Sequence, residues 1–436
     1  MQAKLRQIPY YGALALLAYM PFHIFIVQWM STFTGGLSVW KAAKDVIAVL
    51  ILLVTLGLVY AQRKSNNTFN LFFAIAVIYF GLHLLVWVLN PDIYRPTALL
   101  GIIYNNRLLG YLLLGMGAAL LYRQKIQESK IIKLILVVST IVCLLGLLQY
   151  FLPKDIMTHF GYSVARGVKP AFFIDDKPDL PRIMSTLRDP NSLGGYLVIP
   201  ITLLVYKLFK AARRNRLLVL GLLGLHVLVL LLTFSRSALL AAILSVSALI
   251  VMMQYQWLLA MLKRYWTALL LGTVLLLGGL YLARDQYFVQ NTIFHSDETT
   301  TAQLDSNDLH LDFAKSGING MVNKPQGHGP GTAGIVSIQN PKGGLLTENY
   351  YIQIGYEIGV VGLGVLSTTL GVIYWRLKRF TASPLTLIIL ASFWGYAFMA
   401  LLTHLWTNEA IAAQWWLLAG LAMAQSASAR KVPAKP

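Results

Sequence analysis

Five residues carry the chemistry this chain can offer. Arg182 and Arg188 lie in "LPRIMSTLRDPNSLGG", Arg236 in "LLTFSRSALLAAIL", and Glu348 and Glu357 in "TENYYIQIGYEIGVVGLG". A guanidinium is a planar fork suited to bidentate contact with phosphate oxygens. Arg236 sits between two apolar runs joined by almost no loop, where a charge is costly unless it snorkels or meets an anion. If it meets one, a lipid-linked diphosphate is the ligand the surroundings suggest. Arg182 and Arg188 are open to a second reading as solvated charges or partners of Asp179 and Asp189. Asp189 and Asn191 around Pro190 also read as a helix start.

The two carboxylates cannot share one task. With a helix starting near Glu348, Gly355, Gly359 and Gly362 fall within about 40° of its face at about 100° per residue. Such a stripe permits close helix packing and leaves room for a lipid chain beneath Glu348. Glu357 lies nine residues on, about 180° around and about 13.5 Å deeper. An acid/base pair of the glycosidase kind needs carboxyls about 5–10 Å apart. Glu348 therefore remains as the reactive group at the mouth, and Glu357 is expected to face protein as a buried hydrogen-bonding organiser.

Other features carry less. Asp175 and Asp176 with Asp179 lack a second ligand cluster at recognisable spacing, so no metal is expected. His83 reads as core, and His404 either approaches the site or is a satisfied interfacial histidine. Trp406, Trp415 and Trp416 suit an interfacial belt. Cys143 lies in an apolar run as the only cysteine, so no intramolecular disulfide forms.

The elements that must position these residues are membrane helices. The chain is 57% hydrophobic and 12% charged over 436 residues. Apolar runs long enough to cross a bilayer recur from end to end. We read a single integral membrane domain over 1–436, all-α and polytopic. It has twelve spans, near 10–30, 44–61, 70–89, 100–122, 132–152, 192–209, 217–235, 238–257, 266–283, 349–375, 383–404 and 409–427. The first run is too long for a cleavable signal and lacks a small-residue cleavage site.

The net charge of +19 does not point to nucleic acid, because 21 of the 36 basic residues sit in short loops or termini on one side of this layout. Those segments hold a single acidic residue, Glu128. The positive-inside rule then places both termini in the cytoplasm and the long loops 153–190 and 284–347 outside. The second loop contains "LHLDFAKSGINGMV", which reads as a short amphipathic helix. Chemistry on the outer face has no ATP to draw on, and no phosphate-binding GxxxxGK[ST] is present. The substrate must arrive already activated, and no cofactor is expected.

The order of these features resembles the O-antigen ligase and O-antigen polymerase superfamily of bacterial envelope glycosyltransferases. The resemblance covers most of the chain: many helices, "PN" at a helix entry after an external arginine, "TFSRSALL", and a late loop ending in "GHGPGTAG" before "ENYYIQIGYEIGVVG". The family's arginine, three residues, leucine pattern matches Arg236 and Leu240. Its histidine, polar residue, nine residues, Gly-x-x-Gly pattern matches Glu348, Asn349, Gly359 and Gly362 in spacing. Ligases generally have histidine where this chain has Glu348. They also tend to show an arginine a few residues before a tryptophan where "HLDF" offers His310 and Phe313.

The resemblance implies a GT-C-like fold and transfer of a glycan from an undecaprenyl-diphosphate carrier to a glycan, lipid or wall-polymer acceptor, without metal or nucleotide. The site would face the periplasm or exterior of a bacterial plasma (inner) membrane. Arg182 and Arg236 would hold the diphosphate, and Glu348 would accept the acceptor's proton, with inversion. Arg188, His310, Asn349, Tyr350, Gly359 and Gly362 would position substrate, and Glu357 and Leu240 would be structural. A polymerase of lipid-linked repeats shares this chemistry. A flippase or transporter would instead predict charges lining mid-membrane cavities and a sizeable cytoplasmic linker. A scaffold would leave the clustered arginines unexplained.

Overall fold

The computed structural model describes residues 5–122, 127–174, 177–283, 286, 306–341, 343–379 and 383–429. Helix dominates, because in hydrocarbon only a helix satisfies each backbone N–H and C=O within its own segment. The N-terminal half holds α1 (Ile8–Tyr19), α2 (His23–Thr34), α3 (Leu37–Ala61), α4 (Asn67–Val88), α5 (Arg95–Tyr122) and α6 (Glu128–Phe151). A short antiparallel pair follows, β1 (Phe172–Ile174) and β2 (Lys177–Arg182), then α7 (Pro190–Lys210), α8 (Arg213–Leu232) and α9 (Arg236–Leu282). The chain continues through α10 (Ser306–Asn323), α11 (Gly334–Ser337), α12 (Tyr350–Lys378), α13 (Pro384–Met399) and α14 (Glu409–Ala429).

Among the described residues, nine helical stretches are long and apolar enough to cross a membrane, and two shorter apolar helices accompany them at the C-terminal end. The expected count of twelve is not reached by that measure. The runs near 238–257 and 266–283 both fall in the stretch α9, where separate helices meet across non-helical backbone at Gln254 and Tyr265, and its first part, Arg236–Gln256, is one of the nine. The basic pair between them, Lys263 and Arg264, immediately precedes the break at Tyr265. The first run is interrupted instead: Pro21 lies in the 3-10 turn Met20–Phe22 that separates α1 from α2. The β1–β2 pair is a small departure from an all-α reading, made by the proline-containing segment "KPDLPR", which leads into Arg182.

The core is centred on the crossing of α5 and α14. Gly115 and Gly420 make the closest approach, each facing backbone of the other helix with no space for a side chain. Beside them Trp406, Trp415 and Trp416 are fully buried and pack ring against ring, with centroids 5.3–5.7 Å apart. The interfacial belt expected of these three is therefore a core cluster. Their large apolar surface is better removed from solvent and lipid alike once α13 and α14 lie side by side. His83 is buried in α4, its Nδ1 2.8 Å from the Tyr79 carbonyl, and Cys143 is buried in α6.

Candidate active site

Arg182 ends β2, and its Nε donates to the Thr233 carbonyl at 2.9 Å while Nη2 donates to Asn191 Oδ1 at 3.1 Å. The adjacent backbone is tied the same way, Ile183 N donating to Leu232 O at 3.2 Å. Thr233 belongs to the three-residue turn between α8 and α9, and Arg236 is the first residue of α9. Ser235 caps that helix by accepting from Ala238 N. The strand end carrying Arg182 is thus sewn to the turn that launches Arg236, and Asn191 joins them from the first turn of α7. Asp189 caps α7 by accepting from Ser192 N and Ser192 Oγ, both at 2.8 Å. Gly194 packs against Ala238 and Ser235, so two helix N-termini lie together. Their partial positive charge adds to that of the guanidinium groups and favours an anion.

Left-handed backbone marks this region. Ser185 (φ 53°), Phe234 (φ 48°) and Glu348 (φ 46°) are three of the four described non-glycine residues with positive φ. Each lies within three residues of a candidate, or is one. Such residues persist only where surrounding bonds over-determine them. For Ser185 those bonds are its N–H to Gln149 Oε1 at 2.8 Å and its hydroxyl to Val142 O at 2.7 Å. Thr186 adds a bond to Pro21 O at 2.8 Å. Arg188, further along, is half-buried and within electrostatic reach of Lys41 rather than bonded to the Arg182 cluster.

Glu348 precedes α12 instead of starting it. Asn349 is the N-cap, its side-chain oxygen accepting from Tyr351 N and Ile352 N at 3.0 Å. The carboxyl-bearing turn is held by α13: Tyr350 N donates to Ala400 O at 2.9 Å and Tyr351 Oη to Ala397 O at 3.2 Å. In turn, Tyr396 Oη donates to Gly195 O at 2.9 Å, linking α13 to α7. Asn349 and Tyr350, expected to position substrate, are engaged by the protein itself. Tyr350 is fully buried, its hydroxyl donating to Asn105 Oδ1 at 3.4 Å. Leu240 is 44% exposed on the apolar surface of α9 and does not enter the cluster. His310 lies on α10, and Asp175 and Asp176 fall outside the described residues.

The expected glycine groove beneath Glu348 is closed. α12 breaks at Ile358 and Gly359, where Gly359 adopts φ 77°, ψ 178°. Beyond that point the ideal 100° phase no longer holds. The loop "PQGHGPGTAG" docks into the break: His328 N donates to Tyr356 O and Gly329 N to Glu357 O, both at 2.8 Å, and Val360 N donates to Pro325 O at 3.0 Å. The carbonyls and amide freed by the kink are thereby satisfied. Gly355 faces Met321, Gly359 faces Pro325 and Gln326, and Gly362 faces Ile358. Protein, not a lipid channel, fills the stripe.

Glu357 sits at the centre of this docking, fully buried. Its Oε2 accepts from Asn105 Nδ2 at 2.7 Å, and its Oε1 from Ala333 N at 3.3 Å and Gln353 Nε2 at 3.4 Å. Gly331 donates to it as well. His404 Nδ1 lies 3.2 Å from Gln353 Oε1, so it reaches Glu357 through one intermediary.

A further set of charges went unread in the sequence. Arg107 is buried in α5, with Nη2 donating to Thr407 O and the guanidinium 4.4 Å above the Tyr104 ring. Glu409 starts α14, its Oε1 4.0 Å from His23 Nε2. Lys44, buried in α3, bonds Asp45 at 2.9 Å. The readable signal was Arg107 itself, one charge inside the otherwise apolar run "IIYNNRLLGYLLLG". What the run does not disclose is its partner Thr407, in the turn just before the last helix.

Residues 221–367 match the family model described as O-antigen ligase. That stretch holds the α8–α9 turn with Arg236, the late loop, Glu348 and the kink with Glu357. It supports the O-antigen ligase and polymerase superfamily. No curated protein matches the chain.

Proposed function

Taking the chain as a membrane glycosyltransferase of the O-antigen ligase and polymerase kind, we propose that it moves a glycan from an undecaprenyl-diphosphate carrier to an acceptor hydroxyl on the outer face of a bacterial plasma membrane. The observation that carries this reading is the bond from Arg182 to Thr233 in the turn that launches Arg236. It supports a paired-guanidinium cradle at two helix N-termini, suited to a diphosphate and not to a neutral ligand.

In this reaction Arg182 and Arg236 bind the diphosphate and stabilise the charge that develops as the bond between the anomeric carbon and the phosphate oxygen breaks. That bond's electrons leave with the undecaprenyl diphosphate. The acceptor oxygen attacks from the opposite face, and Glu348 takes its proton. The result is a new glycosidic bond with inverted configuration. The Glu357 knot holds the late loop against α12, which fixes the turn bearing Glu348.

Reconstitution of the full chain with a polyprenyl-diphosphate glycan and candidate acceptors tests the proposal. Transfer that depends on both arginines and on Glu348 is expected. Products that lengthen on the lipid carrier would make the acceptor a second lipid-linked repeat, whereas transfer of a finished chain to a lipid or wall polymer marks a ligase. Vectorial movement of the carrier without any new glycosidic bond would overturn the reading in favour of a flippase.

A further inference from the structure

At the opposite end of the bundle from Glu348, the start of α6, the end of α7, the start of α8 and the start of α13 enclose a cavity of about 430 Å³. Its wall includes Ser129, Lys207, Lys210 and Asn215 at the polar rim, and Ile132 and Val219 deeper in. The one acid in the wall, Glu128, is committed elsewhere. Its two oxygens accept from Ser383 Oγ at 2.7 Å and Leu385 N at 3.4 Å, capping α13.

The cations, by contrast, are uncompensated. Among the described residues, neither Lys207 nor Lys210 has a hydrogen bond or ion pair within the protein. The stretch from the end of α7 into the start of α8, "KLFKAARRNR", adds Arg213, Arg214 and Arg216 with no acid. Flanking the cavity, apolar side chains at the helix ends are bare: Phe209 is 47% exposed and Leu218 67%. A largely apolar recess with a cationic rim, beside exposed apolar side chains at a helix end, matches a ligand with an anionic head and hydrocarbon tails.

We propose that this recess binds the phosphodiester headgroup of an anionic glycerophospholipid of the leaflet facing the basic loops, with Lys207 and Lys210 on the phosphate and the acyl chains along Phe209 and Leu218. The site is separate from the glycan-transfer site and does not rest on that function.

Native mass spectrometry of the full chain, extracted from vesicles of equal phosphatidylglycerol and phosphatidylcholine, tests it. The wild type is expected to retain phosphatidylglycerol. Lys207→Gln with Lys210→Gln is expected to lower that retention about tenfold. The pair Lys207→Arg with Lys210→Arg, which keeps the charge, should retain it. Lys64→Gln with Lys263→Gln, an equal charge loss at basic positions away from the recess, should leave retention unchanged. Equal loss in that control would reduce the effect to bulk charge and overturn the site. Displacement of the lipid by millimolar inorganic phosphate would assign the recess to free phosphate and overturn the lipid. No preference for phosphatidylglycerol in the wild type would overturn it outright.

Discussion

Asn105 and Glu357, 252 residues apart, meet at 2.7 Å in a fully buried contact that joins α5 to the broken helix α12. The carboxylate also draws in Ala333 from the late loop, so one side chain binds three remote parts of the fold together. Replacing it with alanine leaves the Asn105 amide and the Ala333 and Gly331 N–H groups without an acceptor. Glu357→Ala should cost about 3–5 kcal/mol of stability. Thermal unfolding in detergent measures this, and an unchanged midpoint would remove Glu357 from its organising role.

Gly359 should not tolerate a side chain. Its φ of 77° with ψ of 178° is a region essentially restricted to glycine, with strain of about 1–3 kcal/mol for other residues. A Cβ would in addition strike the Pro325 carbonyl. Gly359→Ala is expected to release the late loop, seen as new protease cleavage near residues 325–334. Gly364, with open space around it, is the control: Gly364→Ala should keep the wild-type cleavage pattern.

Glu348→Gln should lower glycan transfer by about 10²–10⁴-fold, the usual contribution of a general base. Folding should be retained, since Tyr350 N and Tyr351 Oη bond the turn to the end of α13. Transfer assays at saturating donor check this, and wild-type rates would retire Glu348 as the base.

Arg236→Ala should reduce transfer by about 10²–10³-fold by removing a donor to the developing phosphate charge. Arg182→Lys should also be impaired. A lysine supplies one compact charge, whereas Arg182 uses separate nitrogens for Thr233 and Asn191. If Arg182→Lys transfers as well as the wild type, the fork geometry is not needed.

His328 gives a pH dependence. Its ring stacks on Tyr356 with centroids 4.0 Å apart and planes 7° from parallel. Burial, with Lys324 nearby, holds its pKa below the ordinary histidine value. The unfolded chain therefore binds the proton more readily, and stability rises with pH in that window. The contribution is fully present above about pH 6.5 and declines as the pH falls towards the folded pKa. Unfolding midpoints at pH 7.5 and 5.5 should differ less in His328→Gln than in the wild type. An identical pH response in both proteins would exclude His328 as the source.

Much of this was legible in the residues themselves. Uninterrupted apolar runs of this length dictate helices because in hydrocarbon only a helix satisfies the backbone within a single segment. Asp189 before Pro190 announced the start of α7, and the isolated charge of Glu357 announced a buried hydrogen-bonded carboxylate. The arginine, three residues, leucine spacing around Arg236 also stood in the sequence, within the stretch the family model covers.

Tertiary structure decided the rest, because the deciding contacts join residues distant in the chain. Helical periodicity laid Gly355, Gly359 and Gly362 on one open face. The late loop instead enters a break in α12 and fills that face, since its amides and carbonyls satisfy groups the break sets free. The tryptophans looked interfacial one at a time, yet three of them close on each other in the core. No spacing in the sequence marks the bond from Arg182 to Thr233 or the pairing of Asn105 with Glu357. Local patterns report how a segment folds on its own, whereas the partner of a buried polar group depends on which distant segment packing brings beside it.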